Sequence, residues 1–313
     1  MKKLIPIFDS RTLSIPIMKL MFAAIAITGL QSLGGCAALA KNPTAADAAQ
    51  PTAPLKIIDA HVHTRFSGES DESSGITVTR EGFVNEMKQA GVVGAVSHAP
   101  KDSTADLPDL GANGVIHCAG IGDSWNNANV EAGLKSGKFR CIKIYLGYTY
   151  RYAYDPLYKP VYLLAQKYDV PVVFHTGDTY SRDGKLKYAD PLTIDEVAVE
   201  NRGVRFVIAH IGNPWIESAA EVAYKNPNVY LDGSALLIGN LDSIPEEKLD
   251  QYVVKPLAWV FGYVEDPGKL MYGSDWPLTP MASYIRVFKK AIPKEHWNAV
   301  FHDNAAKVFK IKK

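Results

Sequence analysis

Residues 55–65 read Leu55-Lys56-Ile57-Ile58-Asp59-Ala60-His61-Val62-His63-Thr64-Arg65. A short apolar run ends in two histidines one residue apart. In an extended strand successive side chains alternate faces, so His61 and His63 point one way while Val62 points the other. Two imidazoles at that spacing can grip one metal ion. His-x-His alone is a weak signal, because such pairs also occur on surface strands. It gains weight from recurrence: further histidines and an aspartate close later apolar runs in the same manner.

Working outward from that run, strand-like segments alternate with longer amphipathic ones. The strand candidates are 55–61, 92–98, 114–118, 141–146, 171–175, 205–210, 229–232 and 269–274. Helix candidates lie between most of them, at 81–90, 129–136, 156–168, 194–201, 214–225, 246–261 and 281–291, and residues 295–313 read as a closing helix. Short, nearly continuous apolar strands spaced by helices imply parallel pairing with both faces of the sheet covered. Eight such units in about 250 residues match a single-domain (β/α)₈ TIM barrel in count and length. A doubly wound open sheet has the same alternation and is the second reading.

The chain has 313 residues with 47% hydrophobic and 21% charged content, enough for a large core, and a formal net charge of +1. With no basic stripe, nucleic acid is excluded as the expected partner. The N-terminus has its own character. Residues 18–40 carry a lysine, a short apolar stretch and then Leu33-Gly34-Gly35-Cys36. This is too short for a membrane span and is similar to a bacterial lipoprotein signal, in which cleavage leaves a lipidated Cys36. The expected organisation is a signal over 1–36, with translation starting at Met1 or Met18, an Ala/Pro/Thr-rich tether over 37–54, and the barrel over 55–313. The mature protein is then exported and held to a bacterial membrane by its N-terminal lipid, on the periplasmic or cell-surface side. An ordinary cleaved signal with an incidental Cys36 is the alternative. Cys118 and Cys141 sit in apolar runs, where buried thiols are the default and a disulfide is open in an oxidising compartment.

The chemistry-bearing residues stand at strand ends: His61 and His63, Lys143 on strand four, His175 in FHTGD, His210 in AHIG, and Asp275 in YGSDWP. In a parallel barrel these ends meet at one rim, where active sites sit. Imidazoles with a carboxylate suit zinc, manganese or iron and leave a position open for water. At this point the chain resembles the amidohydrolase superfamily, and within it the amidohydrolase-related branch of metal-dependent hydrolases and decarboxylases. The motifs are DAHVH, FHTGD, AHIGNP, YGSDWP and HDNAAKVF, over residues 57–309. The resemblance implies His61, His63, His175 and Asp275 as metal ligands, with His210 either completing a second site or polarising the substrate. Asp275 is expected to move the proton as well, and His210 to stabilise an oxyanion.

Lys143 divides the expectations: as a carbamate it bridges two metals, as an ammonium it acts electrostatically. One ion, zinc before manganese or iron, is the preferred count. Arg65 follows the histidine pair on the same face, so it is a candidate for holding a substrate carboxylate, or else a surface arginine. The tyrosine-dense loop 147–156 offers Tyr148 and Arg151 as substrate contacts, or simply loop packing. Asp232 is expected to orient a metal histidine and Asp59 to brace the barrel, while His98, His117, His296, His302 and Asn304 read as structural. The leading function is a metal-dependent hydrolase of a small-molecule amide, lactone or ester. The alternatives are a metal-dependent non-oxidative decarboxylase of a small carboxylic acid, and an exported binding lipoprotein on a barrel without activity. A homodimer is a further expectation.

Overall fold

The computed structural model describes residues 54–101 and 107–311. The expected signal and Cys36 lie outside the described residues, as does the tether apart from Pro54. Eight parallel strands pair in chain order: β1 (Ile57–Val62), β2 (Val92–His98), β3 (Val115–Ile121), β4 (Cys141–Tyr145), β5 (Val172–His175), β6 (Phe206–Ile208), β7 (Val229–Asp232) and β8 (Leu270–Met271). The segment after β8 closes the circle on β1. Ala60 N donates to Tyr272 O at 2.9 Å, Asp275 N to His61 O at 2.8 Å and His63 N to Trp276 O at 2.7 Å. The sheet is therefore the barrel of the first reading, and the open doubly wound sheet is ruled out.

Helices α1 (Arg80–Ala90), α2 (Asn127–Ser136), α3 (Lys159–Tyr168), α4 (Thr193–Glu200), α5 (Ile216–Lys225), α6 (Glu246–Leu249), α7 (Lys255–Val264), α8 (Met281–Ala291) and α9 (Asn304–Val308) follow the strands. Local sequence explains their limits. Thr79 caps α1 by accepting from Gly82 N at 3.0 Å, and Gly91 ends it in the left-handed region at φ 73°. Phe83 and Met87, four apart, bury one face of that helix. Between β2 and β3 only the short turn Gly111–Asn113 is helical among the described residues. The closing helix expected over 295–313 is present as one continuous helical stretch from Lys294 to Val308, whose winding changes along Lys294–His296, Ala299–Asp303 and α9.

Two apolar layers hold the molecule. The larger packs strand exteriors such as Ile57, Ile142, Phe174 and Phe206 against the helices. The smaller fills the barrel with Ile58, Val96, Val173, Val207 and Met271, and Val308 of α9 and Phe309 just after it join this layer. The carbonyls of Val308 and Lys310 accept from Arg205 at 3.0 Å and Arg140 at 2.6 Å, the residues just before β6 and β4. The C-terminal segment thus seals the end where strands begin, and the opposite rim stays open. Cys118 and Cys141 face each other in the β3–β4 register, Cα atoms 4.3 Å apart, and are joined as a disulfide. The default of two thiols gives way because adjacent parallel strands bring the two into register.

Candidate metal centre and cavity

At the open rim, where β1 leaves the barrel and the chain runs on from β8, His61, His63 and Asp275 each present one ligand atom, all within 4.8 Å of one another. What fixes the rings is behind them. His61 Nδ1 lies 2.5 Å from Asp232 Oδ2 at the end of β7. Burial, and then the positive charge of its neighbours, holds His61 well below its ordinary pKa, so the ring is neutral. Its Nδ1–H donates to Asp232 and its Nε2 lone pair faces the cavity. His63 Nδ1 lies 3.1 Å from the His98 carbonyl, which can only accept, so Nδ1 carries a proton and donates it.

The third member has a special backbone. Asp275 sits in the left-handed region at φ 63°, which turns its carboxylate back over β1. Its Oδ1 is 3.1 Å from His63 Nε2 and has no hydrogen-bond partner among the described residues. Burial raises the carboxyl's pKa, but the His63 contact and the charges of His63, His210 and Lys143 outweigh it and hold the group below the usual carboxylate range. An ionised oxygen and an imidazole lone pair facing each other repel unless a cation stands between them, either a proton on His63 or a metal ion. Glu86 of α1 keeps this loop in place, accepting from Trp276 Nε1 at 2.8 Å and Met281 N at 2.7 Å. Asp59 ties the same loop to β1, accepting from Ser274 N at 2.9 Å and His61 N at 3.1 Å.

Lys143 is buried on β4, with Nζ 3.4 Å from His61 Nε2. Burial brings its pKa down to about 8, against the pull of Asp232 and Asp275. His175 reaches the same cavity but is absent from the three-residue cluster. Its Nε2 meets the Asp178 carbonyl at 2.8 Å and its Nδ1 meets His210 Nε2 at 3.2 Å. The four-ligand set implied by the resemblance is therefore only three-quarters assembled, because a carbonyl and a neighbouring imidazole occupy His175. Gly177 allows that arrangement: at φ 82° it runs so close to Asn213 that a Cβ would collide with the Asn213 carbonyl.

His210 ends short β6 early. His210 and Ile211 have φ values of 62° and 42°, so the strand stops at Ile208 rather than at the expected His210. Burial brings the His210 pKa down to about 4 and keeps the ring neutral. Because Asp178 O only accepts, a neutral His175 carries its proton on Nε2, and His210 donates Nε2–H to His175 Nδ1. In that tautomer His210 Nδ1 accepts from Ser234 Oγ at 3.0 Å, while the Ser234 carbonyl 3.3 Å away calls for the other tautomer, with the proton on Nδ1. Ser234 also donates its backbone N–H to Asp232 Oδ1 at 2.9 Å, which links the His61 and His210 supports.

Above these groups lies a cavity of about 670 Å³. Tyr148 lines it, with its ring 4.8 Å from that of His175 and its hydroxyl accepting from Tyr180 N at 2.8 Å. The two arginines expected at the substrate are elsewhere. Arg65 is exposed, since the chain leaves the strand at His63 and the alternation that would have aimed it inward ends there. Arg151 turns away to the Asp123 carbonyl at 3.4 Å, and neither lines the cavity. The sequence reading missed Ser234 and the apolar stretch 235–238. A signal was present for the serine, which follows Asp232 by two and shares its face.

An amidohydrolase family model matches residues 111–311. The match begins after β1, so it includes Lys143, His175, His210 and Asp275 but not His61 or His63. No curated protein matches the chain. Among solved structures, an amidohydrolase from Burkholderia multivorans with bound HEPES is 17% identical with a TM-score of 0.62, covering 82% of this chain and 100% of its own. A second crystal form from that target holds zinc. A probable 2-pyrone-4,6-dicarboxylic acid hydrolase from Acinetobacter baumannii is 17% identical with a TM-score of 0.59, covering 82% and 100%. A 5-carboxyvanillate decarboxylase from Novosphingobium aromaticivorans, complexed with manganese, is 13% identical with a TM-score of 0.56, covering 82% and 96%. At these identities the likeness speaks for the fold.

Proposed function

The chain belongs to the amidohydrolase family, whose members are metal-dependent enzymes, and from that premise we propose that it hydrolyses an amide, lactone or ester bond in a small molecule. The observation that carries the reading is the unpartnered Asp275 Oδ1, buried beside His63 Nε2 and within reach of the His61 donor. Those three residues fit a divalent cation, zinc first and manganese or iron next, because every donor is a lone pair already aimed by a group behind it. When bound, such an ion supplies a Lewis acid that polarises a carbonyl or carboxylate and acidifies water. One ion is favoured over two: among the described residues a single group of three ligands gathers.

The side chains divide the remaining work. Asp275, ionised at neutral pH, takes the proton from the attacking water and returns it to the leaving group. His210, in the tautomer that carries its proton on Nε2, is positioned to swing that proton from His175 to a developing oxyanion. Lys143 places a cation next to His61 and counters the negative charge gathered by Asp232 and Asp275.

The test is a small panel of lactones, esters, amides and hydroxybenzoates, assayed with and without chelator. Chelator-sensitive ring opening or ester cleavage, restored by added metal, is expected. Carbon dioxide release without hydrolysis would replace this reading with the decarboxylase. Activity indifferent to a strong chelator would remove the metal.

We also propose export and lipid attachment at Cys36, which Leu33-Gly34-Gly35-Cys36 and the Cys118–Cys141 disulfide both support. The Cys36→Ala variant is expected to move from the membrane fraction to the soluble one. Unchanged membrane association would contradict the lipid anchor.

A further inference from the structure

We infer that the cavity takes a substrate with one polar head and an uncharged, apolar or aromatic body, and discriminates against a second anionic group. This deepens the proposed hydrolytic reading and rests on it. The head is set by the floor, where His61, His63 and Asp275 converge. The body is set by the walls. The exits of β4 and β5 contribute Tyr145, Tyr148 and Tyr180, and the exit of β7 contributes Leu236, Leu237 and Ile238.

Part of the polar capacity on the tyrosine side is spent inside the protein. The Tyr145 hydroxyl donates to the Ala99 carbonyl at 2.5 Å, and that of Tyr148 accepts from Tyr180 N at 2.8 Å. This wall therefore offers ring surface and neutral hydroxyl donors, the Tyr148 O–H remaining free to donate, but no cation. Cations are scarce as well. No arginine lines the cavity among the described residues; Lys143 is buried at the floor beside His61, below the walls that hold the substrate body, and Lys101 at the rim pairs with Asp123 Oδ2 at 3.0 Å. Asp178 adds a negative group to the lining. A carboxylate on the substrate body would lose water, face Asp178 and find no guanidinium fork to replace the solvent.

The placement of Arg65 and Arg151 sharpens the point. Both are within a few residues of the rim in sequence, yet Arg65 is exposed and Arg151 is half-buried away from the cavity with its Nη1 enclosed in protein, so neither guanidinium serves for carboxylate recognition there.

The experiment is calorimetric titration of the metal-loaded, full-length protein with two probes that share a metal-binding head, benzohydroxamate and 4-carboxybenzohydroxamate. The uncharged ring is expected to bind at least about tenfold more tightly, the cost of desolvating an unpaired carboxylate. Leu237→Arg, which sets a guanidinium in the apolar wall, is expected to shrink or reverse that preference. Lys101→Ala, which is already paired and at the rim, is expected to leave it in place, so the proposal is read even if the arginine variant fails to fold. Equal or tighter binding of the carboxylated probe overturns the inference, as does binding of neither. The two readings fail separately: a lactone-opening enzyme that prefers the carboxylated probe loses only this inference, and one that prefers the neutral probe but turns over no panel member loses only the hydrolytic reading.

Discussion

Asp275→Asn is expected to abolish most turnover, by about 10²- to 10⁴-fold, the range removed with a positioned general acid–base group. The substitution keeps shape and takes away charge. Asparagine tolerates the left-handed backbone that Asp275 adopts, and both backbone bonds of the residue, its N–H to His61 O at 2.8 Å and its carbonyl from Leu278 N at 2.9 Å, are indifferent to the side chain. The fold should therefore survive, with thermal unfolding close to that of the parent. The ionised oxygen opposite His63 Nε2 does not survive, so metal content should fall together with activity. A variant that keeps both would show that the unpartnered oxygen is incidental. Loss of activity with metal fully retained would assign Asp275 to proton transfer alone.

The second large effect is expected at a residue that touches neither metal nor substrate. Asp232→Ala removes the acceptor 2.5 Å from His61 Nδ1, frees the ring to rotate or change tautomer, and also strips Ser234 N of its partner at 2.9 Å. Changes to such supporting groups typically cost about 10- to 100-fold in metal affinity or activity. Competition with a chromogenic chelator measures it directly. Affinity equal to the parent would mean that packing alone orients His61. Asp232→Asn, which keeps an acceptor oxygen, is expected to fall between the two and guards against a merely structural collapse.

The barrel was legible because its signal is distributed: eight apolar runs, several of them ending in a histidine or aspartate, leave few other solutions. Element limits were less so. β6 loses two residues to the left-handed turn at His210 and Ile211, and β8 shrinks to Leu270–Met271 because the residues after it bind across to β1. Neither consequence is written in hydrophobic pattern. At the site, residue types on strand ends could be read, and their partners could not. Asp232 was expected to support a histidine, but which one depends on closure of the barrel, which sets β7 next but one to β1 with β8 between them. The His98 support comes from a backbone carbonyl, which no side chain advertises. The two misplaced arginines have different causes: for Arg65 strand alternation was extended past the last paired residue, and for Arg151 membership of a tyrosine-dense loop gave residue type without direction.

The account stands on a cation shared by His61, His63 and Asp275, and the most direct test is anomalous diffraction from crystals of the metal-loaded protein, collected at the edge of the bound element. One peak is expected, at roughly 2.0–2.2 Å from His61 Nε2, His63 Nε2 and an Asp275 oxygen. Two peaks bridged at Lys143 would contradict the single-ion centre, and a peak away from these three residues, or none in active crystals, would contradict the centre itself.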